Sequence, residues 1–544
     1  MAATRDFRVI IGGGGISGLT LANALEKAGI DYVLLEGRDT IHPQVGASIG
    51  FFPNGGRILD QIGCFEACAK ETIGLKLNHS RYLNGDTYSS SDGSFNYPIA
   101  FLERGLALRA LYENLKDKSR IKLQKRISTV DHNKNEVVVF CEDGTAVSGD
   151  VLVGCDGVHS KVRHELWRLA HLQEPDAIDP NDKELLSAEY NCLFGISTAT
   201  TGVIDGEMGV NHSEGFAMMI IGGKGKVYWF IFKRLDKIWY DTVPNIPRYT
   251  KQDMDTYAES IQDANITRDI KFGHVWKNRV SCALVATEEA QLKRWSWGRI
   301  ACVGDGVHKM TPNMGAGGNA AIETVAALAN ELKKLDDEAE KGKPTYETIT
   351  THLGNYQKVR EMRLSAIFTA AGSVARLHAL KTWKDKFFAF WVLPFAGDMF
   401  TDMNCDMSTG AVKLDYLPVP EKSLHGNMPF NPSQGMGHTE SKLLRAAKAL
   451  PFLGITSLAV YLMWGGVHNN VGKPGFVKPL QNFYGFEFID SRFRGLTACF
   501  ASFQFVDLIC NWQSFSFLTD IGVIYAILLI ESARRANILT FASV

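Results

Sequence analysis

The sequence predicts an α/β protein: a domain that the chain leaves and later re-enters, an inserted mixed β-sheet domain, and an apolar helical tail. Three observations predict it. A glycine-rich strand–turn–helix opens the chain at Phe7–Gly29, and a strand ending in Gly304-Asp305 returns to the same kind of unit. Between them, residues 189–286 alternate in the way of sheet strands and are rich in aromatics. The expected divisions are 1–188 for the first part of the main domain, 189–286 for the sheet domain, 287–415 for the return with its helices, and 416–544 for a linker and tail.

The opening unit carries the most chemistry. Val9 to Ile11 is a short apolar strand, and Leu19, Leu21, Ala22 and Leu25 give the following helix its apolar positions. Between them, Gly13, Gly15 and Gly18 stand in G-x-G-x-x-G register. The first glycine permits the turn, the second lets a pyrophosphate approach the backbone, and the third lets helix and strand pack closely. A second buried-type strand, Ile30–Glu36, ends in an acid about twenty residues downstream of the turn, where a carboxylate accepts hydrogen bonds from an adenosine ribose. The chain is read as beginning with a dinucleotide site.

The totals bound the rest. A length of 544 residues exceeds one ordinary core. Lys plus Arg number 58 against 59 Asp plus Glu, so nothing argues for nucleic acid. The ten cysteines form no CxxC pair or Cys/His cluster of metal-ligand spacing and read as reduced thiols, Cys64 and Cys68 as buried ones on one helical face. The sequons at Asn78, Asn211 and Asn265 read as chance, and no cleavable signal peptide is expected before the first strand.

After Glu36, residues 46–54 read as a loop in which Gly46 and Gly50 either make turns or admit a flat ligand. A hairpin is expected around Asn84-Gly85 and Asp92-Gly93. Phe101 to Leu111 is read as opening a helix whose Arg104 and Arg109 either reach cofactor phosphates and ribose or lie on its surface. Val137–Phe140 and Glu142-Asp-Gly144 make another hairpin. The run Asp150–Cys155 then leads into Asp156-Gly157, with Ser160 and Arg163 downstream; Asp156 either lies near a cofactor or simply caps the next helix. In the sheet domain, Cys192–Ile196, Ala217–Ile221 and Val227–Phe232 read as strands, with no residue standing out as acid or base. The return strand Arg299–Val303 ends in Gly304-Asp305 and runs through Pro312 and the glycines 315, 317 and 318 into an alanine-rich helix. Bare backbone N–H groups and a helix N-terminus there favour negative charge.

A helical segment is expected from Thr345 to about Phe395, then a loop-like stretch over 416–437. The charge-free run 449–466 is close to the ~20 residues needed to span a bilayer, and Arg445 and Lys448 flank it. A second apolar region, 495–530, carries Asp507 and Asp520, and 508–530 is long enough to span if Asp520 is buried or at an interface. The tail is read as a membrane attachment.

Together, Gly13/Gly15/Gly18 with Glu36, Asp156-Gly157, and Gly304-Asp305 with Pro312 and the glycine run resemble, in family order, the class A flavin monooxygenases, the para-hydroxybenzoate-hydroxylase-like family. The resemblance covers residues 5–375. It implies a Rossmann-like FAD-binding domain of the GR2 type, NADPH as transient reductant and O2 as cosubstrate. Where the family usually has a small residue then Ala before its His, this chain has Gly306-Val307-His308. The wording from Gly304 to Asn319, the tail, Phe493-Arg-Gly-Leu-Thr and Glu531-Ser-Ala-Arg-Arg-Ala-Asn are similar to a fungal branch of indole-diterpene and meroterpenoid epoxidases of the paxilline-pathway type. By position, the resemblance implies Glu36 at the adenosine ribose and Gly50 against the cofactor. It puts Arg109, with Arg104 behind it, on the FAD chain. Asp156 lies near the cofactor, Asp305 at the ribityl or pyrophosphate region and Gly318 by the flavin ring. The implied reaction is epoxidation of a terminal prenyl alkene on a polyprenylated aromatic or indole by a flavin C4a-hydroperoxide. The alternative is hydroxylation of an aromatic ring or another terpenoid carbon. A membrane terpene cyclase downstream, an endomembrane location and a catalytic domain facing the cytosol complete the expectation. No catalytic residue is named.

Overall fold

The computed structural model describes residues 7–42, 48–92, 97–183, 185–240, 246–339, 343–396, 407–424 and 430. They belong to the first of two compact units, Met1–Arg445; the second, Ala446–Val544, lies outside the described residues, and so do the expected membrane runs 449–466 and 508–530. Gly46 and most of the 416–437 stretch also lie outside them. No helix among the described residues is long and apolar enough to cross a membrane.

Arg8–Gly12 is the central strand of a six-stranded sheet, and Val9, Ile10 and Ile11 are fully buried, as a strand covered on both faces requires. It pairs in parallel with Asp31–Leu35 on one side and Val151–Gly154 on the other. Ile121–Lys122 lies beyond the first and Ile300–Cys302 beyond the second, both parallel, with Ser296–Trp297 closing the edge as an antiparallel hairpin. The chain therefore goes one way from the end of Arg8–Gly12 first and the other way later. Such a switch point opens a crevice at the carboxyl ends of the strands. The helix Ile16–Ala28 leaves from that point and ends at Gly29 in the left-handed conformation. It packs on the long helix Ala316–Ala339, whose alanines let it lie close among its neighbours.

A second sheet of eight strands runs His308–Lys309, Arg279–Gln291, Ser187–Thr198, Lys226–Tyr240, Phe216–Gly223, Glu207–Ser213, Leu77–Arg81, Thr87–Asp92. Its last two strands are the Asn84-Gly85 hairpin, joined in parallel to Glu207–Ser213. Its first, His308–Lys309, is the continuation of the return strand, so Gln291 pairs with His308 across the two sheets' junction. Alternation sorts the side chains. Leu193, Met218, Ile220, Trp229 and Ile231 pack on the helical segment around Ala258, Phe272 and Trp276, while Cys192, Phe194, Val210, Met219 and Phe230 face the other way.

Two local expectations are corrected. Residues 48–51, read as loop, form the strand Ser48–Phe51, paired antiparallel with Ala100–Glu103. Phe101 is therefore a strand residue, and the helix opens only at Arg104 (Arg104–Glu113). The helical segment after Thr345 is one 33-residue helix, Tyr346–His378, with Thr345 as its cap. It ends at His378, two residues before Leu380, which has a positive φ, and the short helix Trp383–Phe387 follows.

Candidate active site

The crevice at the switch point is built by the glycine turn. Gly13 has φ 106°, and a side chain there would press on the carbonyl of Cys155 at 2.8 Å. A side chain on Gly18 would collide with the Gly13 carbonyl. At Gly15, by contrast, a Cβ would meet only the Arg104 guanidinium at 3.5 Å, so this position faces open groove. Gly15 is the helix cap and supplies no side chain to the first-turn N–H groups, which leaves them for an anionic ligand. Glu36 reaches the same groove. Its carboxylate accepts from the Gly14 N–H at 2.7 Å and the Arg38 N–H at 2.8 Å, and keeps lone pairs for a ribose.

Gly50 and Gly318 lie on the continuation of the groove, where a cavity of about 520 Å³ opens. A Cβ on Gly50 would meet the Phe101 ring at 2.8 Å, and one on Gly318 would meet Ile49 at 2.9 Å, so both keep the wall thin. Arg104 lines both groove and cavity. Asp305, on the turn Gly304–Gly306 after the return strand, lines the cavity and holds Lys309 at 2.6 Å. Burial pushes the Asp305 carboxyl up, but the Lys309 ammonium more than offsets this and holds it below the usual carboxylate range. Two candidates behave differently. Asp156 borders the groove, yet its carboxylate accepts from the Ser160 hydroxyl at 2.5 Å and the Val162 N–H at 3.0 Å. It holds the start of the helix Lys161–Gln173. Arg109 is exposed on the outer side of its helix and does not line the groove or the cavity.

The cavity floor is the second sheet, with Met208, Met219, Phe194 and Phe230 at its centre. Polar groups that sequence reasoning did not single out complete the walls. Asn319 accepts from the Phe52 N–H and donates to the Gly50 carbonyl, both at 2.9 Å, which joins the glycine run to the strand Ser48–Phe51. Glu288 lines the cavity and pairs with His159 at 3.3 Å. Behind Asp305 and Lys309 lies a second cavity of about 410 Å³, bordered by His164, Arg168 and His171.

Residues 6–351 match the family described as FAD binding domain. The FAD-dependent monooxygenase olcE of Penicillium canescens is 40% identical over 433 residues, covering 78% of this chain and 93% of that one. The FAD-dependent monooxygenase verC1 of Penicillium polonicum is 39% identical over 565 residues, 99% of this chain and 69% of that one. The chain belongs to the FAD-dependent monooxygenases. The fold agrees: Klebsiella pneumoniae HpxO complexed with FAD and uric acid superposes with a TM-score of 0.60 at 19% identity, over 74% of this chain and 96% of that one. A salicylate hydroxylase substrate complex gives 0.56 at 18%, over 74% and 95%.

In this monooxygenase the residues present fit FAD. The uncapped helix start at Gly15 suits the pyrophosphate, Glu36 the ribose, and the bare backbone from Gly315 to Gly318 the flat ring beside the cavity. Glu36→Ala is expected to weaken FAD binding by roughly 10- to 100-fold, the loss of one charge-assisted hydrogen bond of about 1.5–3 kcal/mol. Titration of the apoprotein with FAD measures it.

Proposed function

We propose that this monooxygenase epoxidises the terminal prenyl alkene of a polyprenylated aromatic or indole in fungal terpenoid secondary metabolism. The observation that carries the reading is the cavity. Its floor of Met208, Met219, Phe194 and Phe230 is broad and apolar, and it opens directly onto the glycine run at Pro312–Gly318. Bound FAD supplies acceptance of a hydride from NADPH and activation of O2. An isolated alkene has no ionisable group to activate it, so the chain's task is to hold the alkene close and dry. The Met and Phe side chains exclude water, and the N-terminus of Ala316–Ala339 favours negative charge beside the ring.

Hydroxylation of an aromatic ring is the second reading, and Glu288 favours it by placing a carboxylate in the cavity wall where it could accept a phenolic proton. One experiment separates the two. Purified holoenzyme is supplied with NADPH, O2 and a farnesylated or geranylgeranylated indole or phenol. A product heavier by one oxygen that hydrolyses to a diol supports epoxidation, an added phenolic hydroxyl supports hydroxylation, and no oxygenated product overturns both.

The second cavity, with its basic border, suits the phosphates of NADPH. His171→Glu is expected to raise KM for NADPH roughly 2- to 5-fold, the effect of an exposed charge worth ~0.5–1 kcal/mol, with FAD content unchanged. Steady-state kinetics at two salt concentrations checks it. The runs 449–466 and 508–530 suit an endomembrane anchor that would keep the catalytic domain on the cytosolic side and deliver an epoxide to a membrane terpene cyclase. Removal of residues after 440 should then move the protein from the membrane pellet to the supernatant.

A further inference from the structure

The floor of the main cavity is not uniformly apolar along the strand order. At one end stand Thr287 and Glu288 on the strand Arg279–Gln291, next to Lys309. The middle strands contribute Phe194, Phe230, Met219 and Met208. At the other end, the edge hairpin contributes Asn78, Ser80 and Ser91. From the strand of Glu288 to that of Asn78 there are five inter-strand steps, a distance of about 24 Å at ~4.8 Å each.

The roof follows the same axis. Thr311, just before the glycine run, donates to the Ala371 carbonyl on the helix Tyr346–His378 at 3.1 Å. His378 is seven residues further along that helix, about 10 Å away at ~1.5 Å per residue, and it lines the cavity. Behind it lies His212 on the strand Glu207–Ser213, the two rings edge-on with centroids 5.2 Å apart.

This end holds unmet hydrogen-bonding capacity. The Asn78 Oδ1 and the His378 Nδ1 are buried without a hydrogen-bond partner, and His378 is only 5% exposed; His212 behind it is 2% exposed and bonds the Leu377 backbone. Orphaned polar groups at a cavity wall cost free energy until a ligand meets them. Burial lowers the pKa of both imidazoles, His212 to about 4 and His378 well below its ordinary value, and their proximity further opposes charge on His378. The cations lining the cavity among the described residues, Arg104 and Lys309, border Gly15 and Asp305 instead. This end therefore offers hydrogen bonds without charge.

Resting on the prenylated-substrate reading above, we propose that Asn78 and His378, with His212 behind, form a head-group subsite for an uncharged hydroxyl- or N–H-bearing ring, from which the prenyl chain extends across Met208, Met219, Phe230 and Phe194 toward Thr311–Gly318. The enzyme then selects its substrate at the end remote from the reacting alkene. It rejects carboxylated rings, because a buried carboxylate beside two neutral imidazoles has no counter-charge.

The test titrates the oxidised holoenzyme with 3-farnesylphenol, its methyl ether and 3-farnesylbenzoate, reading the perturbation of the flavin spectrum. The wild type is expected to bind the phenol about tenfold more tightly than the ether, and the benzoate least. His378→Phe should weaken phenol binding about tenfold and leave ether binding within twofold, whereas His378→Gln should keep most of the preference. Asn78→Leu is an independent variant on another element, used if His378→Phe loses flavin. Equal binding of phenol and ether, tighter binding of the benzoate, no binding of any probe, or a preference unchanged in the variants overturns the subsite. Product mass is measured separately. Oxygenated product without head-group preference fails the subsite alone, and preference without oxygenated product fails the epoxidation reading alone.

Discussion

Gly18→Val is expected to yield protein without flavin, with absorbance per chain at least tenfold below wild type. The effect comes from the backbone. A side chain on Gly18 would overlap the carbonyl of Gly13 and press on Cys155, so the helix Ile16–Ala28 would have to leave the strand it packs against. The carbonyl cannot swing away, because Gly13 is itself held by its N–H on the Leu35 carbonyl at 2.8 Å and by its left-handed φ. The cost falls on the first turn of the helix, whose free N–H groups face the pyrophosphate. Gly15→Ala provides the contrast. Its Cβ would meet only a guanidinium nitrogen at 3.5 Å, so folding should survive while the pyrophosphate is crowded. Circular dichroism separates the two cases: a folded, flavin-poor Gly15→Ala beside a Gly18→Val with lowered Tm. Normal flavin content in Gly18→Val would show that the turn does not carry the cofactor.

Those glycines were legible because backbone geometry allows little else at their register, and the same holds for the buried strands on either side. Side-chain roles that depend on helix angle were less legible. Arg104 and Arg109 are five residues apart, so at about 100° per residue they point some 140° from each other, and one of them faces the groove. Asp156 sits at the expected place, but its oxygens are taken by Ser160 and Val162, a matter of local turn geometry that a motif does not encode. The cavity's polar end was illegible for a different reason. Asn78, His212 and His378 are scattered over three hundred residues: the 77–92 hairpin adds Asn78 to the edge of the sheet, opposite Met208, and the helix Tyr346–His378 brings His378 to His212. Phe194 and Phe230 announced a sheet, whereas nothing in the residues around Asn78 announced that it belonged to the same one.

Glu323 is the other position where a single atom change is expected to matter greatly. It lies on Ala316–Ala339 and reads in sequence as one acid in an alanine-rich helix. In the fold its carboxylate takes Arg360 at 2.5 Å, Arg363 at 2.7 Å, the Val412 N–H at 3.0 Å and the Asn54 amide at 3.1 Å. The side chains of Glu323 and Arg360 are both 0% exposed. Glu323→Gln keeps the shape but leaves the Arg360 guanidinium buried without a counter-charge, which costs about 3–5 kcal/mol. Burial pushes the Glu323 carboxyl up, and Arg360 and Arg363 more than offset it, so its pKa is held below the ordinary value. The pair's stabilisation is therefore complete above the unfolded carboxyl's pKa of about 4.3 and is lost as pH falls through the lower folded value. Chemical denaturation of the holoenzyme at neutral pH should show the loss in Glu323→Gln, and the gap to wild type should narrow below about pH 4. A loss under ~1 kcal/mol would place the pair among the weak ones. Because Asn319 ties the same helix to the strand carrying Gly50, and Asn54 ties Glu323 to the helix Pro53–Ile62 that follows that strand, the variant should also release flavin at a lower denaturant concentration than the one that unfolds it. That order of events would separate damage to the flavin wall from general instability.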